Sequence, residues 1–166
     1  MRATALSLLA TFITTTAFAF QNEPDGFRGI KWGTEISEVS DQFALNSDER
    51  SMATYTRRDD KLAIGDAELI RLTYQFYKGR LHSVSMNTQE YANRRALQIA
   101  LRTQFGQGSQ PNRYMERYYW SGVTTIIALN CNTSAETCHL LFWSTEASKQ
   151  KSADEKEAGQ KAKRDF

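Results

Sequence analysis

Leu69-Ile70-Arg71-Leu72-Thr73-Tyr74-Gln75-Phe76-Tyr77-Lys78-Gly79-Arg80-Leu81-His82-Ser83-Val84-Ser85-Met86 is the stretch that sets the architecture. Ile70, Leu72, Tyr74 and Phe76 alternate with Arg71, Thr73 and Gln75, the period of a strand with one buried face. Lys78-Gly79-Arg80 interrupts the run with a glycine, which supplies the positive φ of a tight turn. The chain then returns as a partner strand, with His82, Val84 and Met86 on one side. An antiparallel hairpin is therefore the centre of the fold.

The pattern changes on either side of it. Upstream, Phe27-Arg28-Gly29-Ile30-Lys31-Trp32 reads as an edge strand ended by Gly33. Thr34 is placed to cap a helix, with Glu35 and Glu38 near its positive end. Ile36, Val39 and Phe43 recur at helical spacing. Residues 52–57 read as a weaker strand, and Asp48-Glu49 as part of a polar loop. Downstream, Asn87 and Glu90 have the spacing of a capping box. A helix follows to Phe105 with Leu97, Ala100, Leu101 and Phe105 as its buried stripe, and Gly106 ends it. Residues 114–120, 123–131 and 138–143 read as three more strands. After Trp143 the composition turns to Lys, Glu, Ala and Gln, the signature of a solvated helix or a disordered tail.

The expected fold class is thus α+β, with helices packed on an antiparallel sheet in the order helix–strands–helix–strands. Residues 20–147 form a single domain and residues 148–166 a charged helical or disordered tail.

Cys131 and Cys138 are the two cysteines of the 166-residue chain. Cys131 continues the alternation of Thr125, Ile127 and Leu129, and Cys138 begins that of Leu140 and Phe142. Both thiols then face one side of adjacent strands, and the small polar segment between them reads as a hairpin loop. A disulfide follows, worth roughly 2–3 kcal/mol for so short a loop. The spacing is not that of a redox Cys-x-x-Cys pair, and two cysteines do not complete a zinc site.

A disulfide implies an oxidising compartment, and the N-terminus agrees. Arg2 precedes an uncharged stretch carrying Leu6, Leu8, Leu9, Phe12 and Ile13, and Ala17-Phe18-Ala19 has the small residues of a signal-peptidase site. Residues 1–19 therefore read as a cleaved signal peptide, and the apolar run is shorter than the ~20 residues that span a bilayer. The expected location is the periplasm, as a soluble exported protein with no transmembrane segment after cleavage. The formal net charge of +2 gives no basic footprint for nucleic acid.

No catalytic constellation stands out. His82 and His139 each sit in a strand pattern, the Gly-x-Ser-x-Gly nucleophile signature is missing, and Gly106-Gln107-Gly108-Ser109 leaves a helix, whereas a phosphate loop enters one. Asp59-Asp60 follows Arg57-Arg58 and reads as a solvated ionic turn. No metal ligand set and no cofactor is expected. The segment that invites a binding role is Arg113, Tyr114, Arg117, Tyr118 and Trp120, with Tyr119 among them. Cations interleaved with aromatics suit stacking on a base or a glycan.

Gly26-Phe27-Arg28-Gly29-Ile30-Lys31-Trp32-Gly33-Thr34, Tyr55-Thr56-Arg57-Arg58-Asp59-Asp60-Lys61-Leu62 and Tyr74-Gln75-Phe76-Tyr77-Lys78-Gly79-Arg80-Leu81 together resemble a group of exported proteobacterial proteins of unknown function. The resemblance covers most of residues 26–143 and implies a periplasmic setting. It carries no active-site residue. The function expected from these features is a small interaction or binding module, its partner an envelope protein or a glycan. The alternative is an envelope hydrolase in which His82, Asp59, Asp60, Arg57 and Arg58 converge only on folding.

Overall fold

In the computed structural model, residues 20–49 and 51–164 are described; the signal segment read at 1–19 and the terminal Phe166 lie outside them. Seven strands form one antiparallel sheet: β3 (Phe43–Glu49), β4 (Met52–Arg57), β7 (Arg71–Tyr77), β8 (Arg80–Gln89), β11 (Thr137–Ser144), β10 (Thr125–Asn132) and β9 (Arg117–Ser121), in that spatial order. Two small hairpins stand beside it, β1 (Gly26–Phe27) with β2 (Ile30–Lys31), and β5 (Ala63–Ile64) with β6 (Ala67–Glu68). The helices are a single turn, α1 (Ile36–Val39), then α2 (Tyr91–Phe105) and α3 (Thr145–Arg164).

The expected α+β arrangement in helix-first order is overturned. The protein is mostly β, and it enters through a hairpin. Two local causes account for this. Ile36, Val39 and Phe43 do not share a long helix: α1 ends after one turn, a 3-10 turn (Ser40–Gln42) follows, and Phe43 opens strand β3. Beyond Phe43 every residue of β3 is exposed. An edge strand wet on both faces carries no alternation, so its polar sequence resembles a loop, and only the backbone ladder to β4 makes it a strand. Asp48 and Glu49 are consequently strand residues, paired with Ala53 and Met52.

The helix starts also differ from their sequence signals. The capping box at α1 is Glu35 with Glu38, one residue after the expected Thr34. Asn87 does not cap α2; β8 runs on to Gln89, and Glu90 starts the helix at φ 74 without a side-chain cap. The C-terminal end behaves as its sequence suggests, with Gly106 at φ 78 and its N–H on the carbonyl of Arg102.

The core lies on one face of the sheet, in rows that run across strands. One row joins Tyr74, Val84, Phe142, Ile127 and Trp120; the next joins Leu72, Met86, Leu140, Leu129 and Tyr118. Leu97, Leu101 and Phe105 of α2 close over these rows, and Phe27, Ile30 and Phe43 fill the end where the small hairpins pack. Cys131 and Cys138 sit opposite each other in the β10–β11 ladder and are bridged.

Candidate functional site

The opposite face of the sheet is divided in two. A β-bulge opposite Gln75 and Phe76 leaves His82 as the extra residue of β8. It lies with Ser83 away from the core, on the side where α3 crosses. There Ser83 Oγ donates to Gln75 Oε1 (2.6 Å), His82 Nδ1 meets Ser83 Oγ (2.9 Å), and His82 Nε2 reaches Ser148 Oγ of α3 (3.5 Å). α3 turns a mostly polar stripe toward the sheet, Ser148, Lys151 and Asp154 with the methyl of Ala147, and none of its residues is fully buried. Asp154 is its clasp, accepting from Tyr77 Oη (2.8 Å) and pairing with Lys78 Nζ (2.6 Å). These contacts cover the row that includes Trp143 and Ser83.

The other half of this face is open. Strand register places Arg117, Asn130, His139, Asn87 and Arg71 side by side across β9, β10, β11, β8 and β7. At the ~4.8 Å spacing of neighbouring strands, this row spans roughly 19 Å. Asn132, Thr137 and Gln89 flank it on one side; Tyr119, Ala128, Leu141 and Ser85 flank it on the other. Arg117 Nε donates to Asn130 Oδ1 (3.0 Å), and Ser85 Oγ meets His139 Nε2 (2.8 Å). Among the described residues, neither Arg117 nor Arg71 is in an ion pair. Partial burial pulls the His139 imidazole below its ordinary value, so it is neutral near pH 7.

The residues singled out from sequence are thus separated. Tyr118 and Trp120 alternate inward and are buried, and Trp120 Nε1 donates to the carbonyl of Gly106. Arg117 and Tyr119 alternate outward onto the open face. Arg113 and Tyr114 precede the strand in an exposed loop, the guanidinium stacked on its neighbour's ring (4.8 Å) and bonded to its hydroxyl. Asn130, Asn87, His139 and Arg71 were not legible as partners, because they come from four strands and only the register aligns them.

The residues of the hydrolase alternative do not converge. Asp60 lies on the core side, where its carboxylate accepts from Arg28 and from Tyr74 Oη (2.5 Å). Arg57 donates to the carbonyl of Arg28 and to Gln42. His82 is on the opposite face beneath α3. A concavity of about 750 Å³ lies elsewhere, between α2 and the two small hairpins, and is lined by Phe27, Ile64, Ala96, Ile99 and Ala100 among others. Among the described residues, no helix is long and apolar enough to cross a membrane, and no three His, Cys, Asp or Glu side chains cluster as metal ligands. No family model matches the chain, and neither a curated protein nor a solved structure matches it.

Proposed function

We propose that the protein is exported to the periplasm and acts there as a binding module, using the open half of its outer sheet face. The observation that carries this reading is the register-aligned row Arg117, Asn130, His139, Asn87 and Arg71. Five strands present hydrogen-bonding side chains in one plane, and rigid strands hold them without loop motion. Export is supported by the leader-like sequence at 1–19, the bridged cysteine pair and the resemblance to exported proteobacterial proteins.

Photoreactive residues at positions 130 and 99 test the site in living cells. Position 130 lies in the row and Ile99 lies in the groove along α2. Adducts are expected at 130 and not at 99, and the double variant Arg71→Glu/Arg117→Glu should abolish them. Adducts at 99 alone, or adducts at 130 that survive charge reversal, would move the site elsewhere. Export is tested by intact mass from the periplasmic fraction, which should correspond to a chain beginning at Phe20.

A further inference from the structure

We infer that the open face takes a glycan chain bearing carboxylate groups, an assignment that rests on the binding role proposed above. The side chains determine the chemistry. Asn87, Asn130 and Gln89 lie on adjacent rows, and a primary amide both donates and accepts, as a sugar hydroxyl does. Asn130 accepts from Arg117 through its oxygen, and its two N–H groups remain available to donate. Ser85 and Thr137 add hydroxyls of the same dual character.

Arg71 and Arg117 stand at the two ends of the row. A guanidinium without a carboxylate partner is the strongest recognition element on this face, and it selects planar oxyanions. No acidic side chain occurs in the row or in either flanking row, so the charge complement is anionic. Tyr119, about one-third exposed (36 %), offers a ring face beside Ala128 for the apolar side of a sugar. A protein partner would require an apolar centre with deep anchors. Besides Tyr119 at the edge, these rows supply only the half-buried Leu141 and Ala128.

Calorimetric titration of the purified protein with a short oligogalacturonate tests the assignment, with a dextran oligomer and a poly-glutamate peptide as comparisons. Oligogalacturonate should bind, and Arg117→Ala and Asn130→Ala should each weaken it at least tenfold without shifting the unfolding midpoint. Dextran and poly-glutamate should bind at least tenfold more weakly than oligogalacturonate. Equal binding of poly-glutamate would overturn the glycan assignment and leave a charge-selective face. Equal binding of dextran would remove the role given to Arg71 and Arg117. If none of the three binds while position 130 still forms adducts in cells, the ligand class is wrong and the site stands. If none binds and no adduct forms at 130, both readings fall.

Discussion

Tyr74 belongs to the central core row, yet its hydroxyl ends on Asp60, and burial together with that carboxylate raises its pKa above the ordinary tyrosine value. Arg28 completes the group by reaching Asp60 and the carbonyls of Lys61 and Ala63. Asp60→Asn should destabilise the protein by about 1–3 kcal/mol in urea unfolding, because Arg28 keeps its half-buried position and loses its counter-charge. Arg28→Ala measured with it should prove non-additive. His82 makes the second residue-scale prediction. Burial first, and Lys151 second, pull its pKa below the ordinary 6.5. The unfolded chain therefore binds this proton more readily than the folded one. Stability should be full above pH 6.5 and fall as pH drops below it, and His82→Gln should flatten that decline in pH-dependent thermal unfolding.

At the scale of elements, the hairpin β1–β2 is pinned by close backbone approach. A Cβ on Gly26 would lie 2.1 Å from the carbonyl oxygen of Ile30, so the hairpin cannot form unchanged with any other residue there. Gly26→Ala should cost about 1–3 kcal/mol as Phe27 and Ile30 shift from the core, read as a lowered unfolding midpoint. The β10–β11 hairpin is tied differently, by its bridge. Cys131→Ala/Cys138→Ala should cost roughly 2–3 kcal/mol, since the bridge restricts the unfolded chain across a short loop. The β10–β11 hairpin was visible in sequence through alternation on both sides of a polar turn, whereas Phe27–Trp32, which reads as a single edge strand, is folded back on itself at Arg28 and Gly29, both at positive φ. Strand β3 was not visible either, because nothing is packed on either of its faces beyond Phe43.

For the whole molecule, one face of the sheet is dry and the other is shared between α3 and solvent. α3 adds little to stability because none of its own residues is fully buried and its clasp, Asp154 with Lys78, is an ion pair with an exposed lysine. Truncation after Ser148 should lower stability by no more than about 1 kcal/mol in chemical unfolding. The same truncation should shift tryptophan emission to the red as Trp143 gains water. A large loss of stability would mean that α3 completes the fold.

The alternations at 71–77, 125–131 and 138–144, the apolar stripe of α2 and the facing cysteines were written in the sequence, since each depends on near neighbours along one strand or helix. Tertiary structure decided the rest. A period of two assigns Tyr118 and Trp120 to one face and Arg117 and Tyr119 to the other, but it does not say which face is buried. That choice came from where α2 and the small hairpins packed. The row Arg117, Asn130, His139, Asn87 and Arg71 is more distant still from sequence: its members span positions 71 to 139, and it exists only because four ladders hold one register. A slip of one residue in any of them would send that strand's member of the row to the opposite face.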